Sequence, residues 1–310
     1  MGHTKGKESL SGVFAPTVTP FVDGSLEIDF RWVEKHQSFI EARGATGAVP
    51  SGTNGEGPSM SLEERKALIG AALESRGGLK MIPGTGCAAL TDAIELTRFA
   101  LEHGADSVLV LPPFYFKNPK TEGLVNFFRI LCDRGVPAGK GIILYNIPQM
   151  SAVPIGFDLL DSLLESHPEC VWGVKDSSGD PESLKAYVRR YPQLRIFAGS
   201  DRLASLAYRI GAAGTISAMA NIVPDWLQKL RTQVLEQDEE GAKASQARID
   251  AMRELLSIYP MRAATKYIIH ILIGLPLVGV RPPEIELTPA QKSEIKRKVE
   301  EITGEKLSAD

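Results

Sequence analysis

Between Val13 and a helix start at Pro224, short apolar runs alternate eight times with longer amphipathic segments. That alternation constrains the chain more than any other feature, because it builds parallel strands joined by crossover helices. The strand cores read Val108–Pro112, Gly141–Ile147, Val171–Lys175 and Leu194–Gly199. None of them alternates with polar residues, so both faces of each strand must be covered, as in a parallel sheet. Helices are expected over Asp29–Arg43, Ser61–Ser75, Thr91–His103, Thr121–Asp133, Gly156–Ser166, Pro181–Arg190 and Arg202–Ile210. Ser61 with Glu64 three residues on fits a capping box. Val13–Phe21 reads as the first strand. Eight such units predict a (β/α)8 TIM barrel rather than an open doubly wound sheet. The glycine fingerprint of an open dinucleotide-binding sheet is matched only loosely, by Gly84, Gly86 and Ala89 in the third unit. Asp106 then falls before the next strand instead of at its far end, where a ribose would lie. The expected organisation is a barrel over 12–224 that carries the active site, with a C-terminal helical extension over 225–310 packed on it. Pro276, Pro282, Pro283 and Pro289 interrupt that extension.

The net charge is −3 and the basic residues are scattered. Lys292–Lys298 is followed by Glu300 and Glu301, the pattern of a solvated helix face, and no basic stripe suggests nucleic acid. Cys87, Cys132 and Cys170 stand far apart along the chain, without a C-x-x-C pair or a histidine at ligand spacing. This reads as a reducing compartment without structural zinc. Met1–Ser11 is polar, unlike a secretory signal, and Gly6 stands where myristoylation wants Ser or Thr. The apolar stretch Ile268–Val280 is broken by His270 and Pro276 and is too short to span a bilayer. A cytoplasmic protein with no membrane partner is expected.

In a barrel, chemistry sits at the C-terminal strand ends. Those ends offer Ser51–Gly57, Pro112–Tyr115, Tyr145–Asn146, Lys175–Ser177, Gly199–Asp201 and Ser217. The set holds one amine, two phenols and several hydroxyl or amide donors, with no histidine and no carboxylate group spaced for a metal. Alternation puts Val171, Gly173 and Lys175 on one face. If that face is the interior, Gly173 leaves room for a long side chain, and poor solvation favours the neutral, nucleophilic amine. A lysine near a strand end is otherwise most often a surface residue. The neighbouring phenols and carboxylate-binding groups set Lys175 apart from that ordinary case. Tyr145 is the candidate proton carrier, although a tyrosine closing a strand is commonly a packing residue. Gly52–Thr53–Asn54–Gly55 presents backbone and side-chain donors suited to a carboxylate, or is simply a tight turn. Asp176, Ser177 and Asp201 are candidates for shaping the far end of a substrate. His36, His103 and His270 fall on predicted helices without partner ligands and read as structural. Cys87 has no histidine beside it.

Taken together, four segments resemble the dihydrodipicolinate synthase / N-acetylneuraminate lyase superfamily of class I pyruvate-dependent aldolases. Gly52–Thr53–Asn54–Gly55–Glu56 resembles its G-[ST]-[TSN]-G-E loop and Tyr145–Asn146–Ile147–Pro148 its Y-N-x-P. Gly173–Val174–Lys175–Asp176 is similar to G-x-K-[DE], and Gly214–Ser217 through Asn221 to G-x-I-S…N. They run in family order from about residue 12 to 300. The resemblance implies a Schiff base on Lys175, proton transfer by Tyr145, and a substrate carboxylate held by Thr53 and Asn54. It implies that Tyr115 acts across a subunit contact in a dimer-of-dimers tetramer, and that the backbone at Ile216 lines the pocket. Met150 and Ser200 are placed on the substrate side.

Two positions depart from the synthase pattern. Met150 stands where dihydrodipicolinate synthases have an arginine for the aldehyde's carboxylate, and a thioether does not replace a bidentate guanidinium. Asn54 stands where threonine is usual. Thr53–Asn54 is similar to the 4-hydroxy-2-oxoglutarate aldolase branch, whereas Tyr-Asn-Ile-Pro-x-Met-Ser is similar to sialic-acid and sugar-acid lyases. The expected reaction makes or breaks a carbon–carbon bond of a 2-oxo acid. Pyruvate is product or donor, an aldehyde is the partner, and Lys175 serves in place of any metal or organic cofactor. A 2-keto-3-deoxy sugar acid is the expected substrate. The alternatives are dihydrodipicolinate synthase, a 2-keto-3-deoxy-acid dehydratase, a phosphate-binding barrel enzyme using Gly199–Ser200, and a non-catalytic 2-oxo-acid-binding barrel.

Overall fold

The computed structural model describes residues 3–307. Its barrel strands are β1 (Gly12–Ala15), β2 (Gly47–Ala48), β3 (Lys80–Met81), β4 (Val108–Val110), β5 (Ile142–Asn146), β6 (Val171–Asp176), β7 (Arg195–Ala198) and β8 (Gly214–Ile216). All pair in parallel in the order β3-β2-β1-β8-β7-β6-β5-β4. A parallel bridge between Gly84 and Leu109 brings the two edges together. The helices between them are α1 (Phe30–Ala42), α2 (Leu62–Glu74), α3 (Leu90–Glu102), α4 (Thr121–Gly135), α5 (Phe157–Ser166), α6 (Pro181–Arg190), α7 (Ala204–Arg209) and α8 (Pro224–Leu235). The chain is thus a (β/α)8 TIM barrel. Ser61 and Glu64 form the expected capping box, with Oγ accepting at 3.2 Å and the carboxylate accepting at 2.8 Å.

Two layers of apolar side chains hold the barrel. Phe14, Val49, Ile82, Leu109, Ile143, Trp172, Phe197 and Ile216 fill the interior. The outer layer packs the other strand faces against the helices. Phe14 and Phe197 meet edge to face at 5.5 Å across the interior, an arrangement the aromatic quadrupoles favour.

Three local expectations are corrected. The first strand ends at Ala15, because Pro16 and Pro20 have no N–H to donate to a ladder. Phe21–Val22 pairs instead, antiparallel, with Val278–Gly279. Second, Val171 and Lys175 do not share a face. The β5–β6 pairing goes from Ile142↔Val171 to Ile143↔Gly173, so Trp172 is a bulge. Val171 packs among the helices, while Trp172 enters the interior over Gly141, where a Cβ would lie 2.2 Å from the indole. Third, Gly173 makes room for strand β7 rather than for the lysine: a Cβ there would lie 2.1 Å from the Arg195 carbonyl oxygen.

Cys132 and Cys170 form a disulfide with Cα atoms 6.1 Å apart. Helix α4 runs back to the barrel end from which β6 starts, so residues 38 apart in sequence meet there. The cysteine spacing therefore gives no support for a reducing compartment. His36 is buried with Nε2 3.0 Å from the Asn221 carbonyl, and His103 bonds the Phe99 carbonyl of its own helix. Among the described residues, no helix is long and apolar enough to cross a membrane.

Division of the chain at 224/225 falls at the start of α8, which packs on β1 and buries Leu227 and Leu230 in the outer layer. Three further helices follow: α9 (Glu239–Ile258), α10 (Met261–Ile273) and α11 (Pro289–Thr303). They pack on one another, and α9 also packs on α8.

Candidate active site

Parallel pairing in register turns side chains of adjacent strands to the same face. Tyr145 on β5 is the register partner of Lys175 on β6. The Lys175 side chain is 5% exposed, and its Nζ lies 4.2 Å from the centre of the Tyr145 ring. Thr53 Oγ donates to the Tyr145 hydroxyl at 3.3 Å. Burial pushes the Tyr145 phenol up. The Lys175 charge and hydrogen bonds from Thr53, Lys175 and Ser177 outweigh it, leaving the phenol more acidic than usual.

These groups open into a cavity of about 240 Å³ at the C-terminal strand ends. Thr53, Asn54, Tyr145, Met150, Lys175, Ser200 and Ile216 all line it. Tyr115 does not. It is 73% exposed and stacks edge to face on Phe116, outside the cavity of a single chain. Met150 sits on a one-turn helix, Pro148–Ser151, and is 59% exposed at the cavity rim. Ser177 and Asp201 also line the cavity. Asp176 instead accepts from Asn146 Nδ2 at 2.8 Å and from the Ser178 N–H at 3.1 Å, tying together the ends of β5 and β6.

The loop after β2 is held in an unusual backbone conformation. Ser51 and Glu56 both have positive φ, 60° and 53°. Gly57 is required, because a Cβ there would lie 2.4 Å from the Ser51 carbonyl oxygen. The buried guanidinium of Arg65, on α2, donates to Ser51 Oγ at 2.8 Å and to the Gly84 carbonyl at 2.8 Å.

Two arginines in the cavity wall were not foreseen from the sequence. Arg262, on α10, donates from Nε to the Thr53 carbonyl at 2.9 Å and pairs with Glu284. Arg253, on α9, lies 3.7 Å from Asp201. Asp201 is buried and accepts the Met219 N–H at 3.1 Å. Burial raises its pKa more than Ser217, Met219 and Arg253 lower it. An exposed helix carries arginines for many reasons, so the sequence held no signal that these two turn inward. Among the described residues, no three of His, Cys, Asp and Glu are grouped as metal ligands.

A sequence profile of the dihydrodipicolinate synthetase family matches residues 9–302. An uncharacterized DapA-like lyase of Chloroflexus aurantiacus is 40% identical over 293 residues, covering 94% of this chain and 96% of that protein. Dihydrodipicolinate synthase from Aquifex aeolicus superposes with TM-score 0.87 at 28% identity, covering 96% of this chain and 100% of that one. The KD(P)GA of T. tenax superposes with TM-score 0.86 at 28% identity, covering 94% and 99%.

Proposed function

This chain belongs to the dihydrodipicolinate synthetase family of class I pyruvate-dependent lyases and aldolases, and from that premise we propose that it cleaves or forms a 2-keto-3-deoxy sugar acid through a Schiff base on Lys175. The observation that carries this reading is the buried Lys175 amine against the Tyr145 ring, at the wall of the cavity.

The substrate carboxylate rests on Thr53 and Asn54. Lys175 passes a proton to the Tyr145 phenolate and adds to C2 as the neutral amine; Tyr145 then protonates the departing oxygen, so that water leaves and an iminium remains. Deprotonation of the C4 hydroxyl by the Tyr145 phenolate releases an aldehyde. The C3–C4 electron pair moves into the C2–C3 enamine. Protonation at C3 and hydrolysis of the imine release pyruvate and restore the amine. The reverse sequence joins the enamine to an aldehyde. The iminium on Lys175 is itself the electron sink, so the chemistry requires no metal or organic cofactor.

The polar groups of the cavity wall support a hydroxylated chain over a synthase substrate. Ser177, Ser200 and the Asp201 carboxylate offer partners for hydroxyl groups, and Arg253 adds a cation. The exposed thioether of Met150 offers no bidentate grip for a carboxylate. Exposed Tyr115 and Phe116 fit a contact with a second copy, in an oligomer through which Tyr115 joins proton transfer.

The test is intact mass after incubation with pyruvate and borohydride, followed by peptide mapping. One reduced pyruvyl adduct on Lys175 is expected, with cleavage of 2-keto-3-deoxy sugar acids in a substrate screen. No adduct in folded protein would return the chain to a non-catalytic binding barrel. Adduct formation with turnover only of an aldehyde that carries its own carboxylate would favour the synthase.

A further inference from the structure

The loop that carries Thr53 and Asn54 ends on a charge with no contact to the cavity. The Glu56 carboxylate is buried, and it accepts from Lys266 Nζ at 2.5 Å and from the Arg281 backbone N–H at 3.0 Å. Lys266 is fully buried on α10, donates to the Gly279 carbonyl at 2.6 Å, and stands 4.8 Å over the Phe21 ring. Arg262 precedes it by four residues on the same helix, a spacing that puts both on one helix face. One helix face therefore holds the loop twice, through the Thr53 carbonyl and through the Glu56 side chain.

A buried ion pair gives little net stability over an apolar pair of similar volume. It does fix geometry, because its partners tolerate neither separation nor rotation. The loop needs such fixing: two non-glycine residues, Ser51 and Glu56, occupy the left-handed region, which persists only where the surroundings over-determine it. The carboxylate donors lie between those two residues.

We propose that Lys266 and Arg262, from the C-terminal helices, are positioning residues that hold the Thr53–Asn54 loop in its carboxylate-binding form. The C-terminal helices are then part of the active site rather than a covering for the barrel. The inference rests on the carboxylate role given to Thr53 and Asn54.

The experiment measures how borohydride trapping at Lys175 depends on pyruvate concentration in the full chain, for wild type, Lys266→Met and Arg262→Met. Both substitutions should raise the half-saturating pyruvate concentration by about tenfold or more, the effect of losing a charge-assisted hydrogen bond. The trapping rate at saturation should change little. A lower melting temperature with unchanged half-saturation would show a structural role only and overturn the inference. Should Lys266→Met fail to fold, Arg262→Met, whose side chain is partly exposed, decides in the same way. The double variant Glu56→Gln/Lys266→Met, which leaves no unpaired buried charge, gives the second measurement. A folded wild type that traps no pyruvate overturns both the Schiff-base reading and this inference. Trapping with unaltered half-saturation in the variants overturns this inference alone.

Discussion

The Lys175 ammonium faces the Tyr145 ring at 4.2 Å while Thr53 reaches the same tyrosine's hydroxyl at 3.3 Å, so one side chain supports the amine and carries an exchangeable proton. Tyr145→Phe separates the two roles. The ring stays and the proton carrier goes. kcat should fall by roughly 10²–10⁴, the usual contribution of a positioned acid–base group. The melting temperature should hardly move. Steady-state kinetics beside a thermal melt checks both.

The same contact sets the ionisation of the phenol. In the wild type Tyr145 should titrate below the ordinary value of about 10. Lys175→Met removes the charge that favours phenolate and leaves the burial that opposes it, so the phenol should move upward. Ultraviolet difference titration against Tyr145→Phe reads the shift. A Tyr145 that titrates identically with and without Lys175 would contradict the coupling.

Arg253 and Asp201 lie in the cavity wall, on α9 and after β7. Arg253→Met should leave pyruvate trapping intact and raise KM for a 2-keto-3-deoxy sugar acid by about tenfold, the loss of one charged hydrogen bond. Equal effects on pyruvate and on the long substrate would place Arg253 elsewhere in the mechanism.

His36 ties α1 to the turn after β8 through Asn221. Burial lowers its pKa from 6.5 to about 4, against the pull of that carbonyl. The unfolded chain thus binds a proton at higher pH than the native one. The stability is complete above about pH 6.5 and is lost as pH falls toward 4, by roughly 3 kcal/mol in all. Denaturant unfolding of His36→Gln should show a shallower loss over that window than wild type.

What could be read without coordinates was whatever repeats or clusters along the chain. Eight strand–helix alternations gave the barrel, and strand-end polar residues gave Lys175, Tyr145, Thr53 and Asn54, all of which line one cavity. Long-range approach left no such trace. Arg253 and Arg262 reach the cavity from helices that follow the barrel, and Lys266 meets Glu56 across 210 positions. Cys132 and Cys170 looked unrelated because their meeting depends on the direction of α4. Local irregularity was equally hidden: a period-two pattern carries no sign of an extra residue at Trp172.

That extra residue sets which side of the sheet the chemistry is on. A strand that starts with Val171 among the helices would, by strict alternation, bring its fifth side chain out among them too. The amine would then be buried in the hydrocarbon between barrel and helix layer, with no route to a substrate. The bulge at Trp172 flips the count, and Lys175 arrives inside, level with Tyr145. The side that Lys175 faces is therefore set by the count of residues between the bulge and the lysine, not by the lysine alone. Removing the Trp172 codon alone would leave a regular strand with Lys175 still level with Tyr145, whereas one residue inserted between Gly173 and Lys175 would keep every candidate group in the gene and turn the amine to the wrong side of the wall.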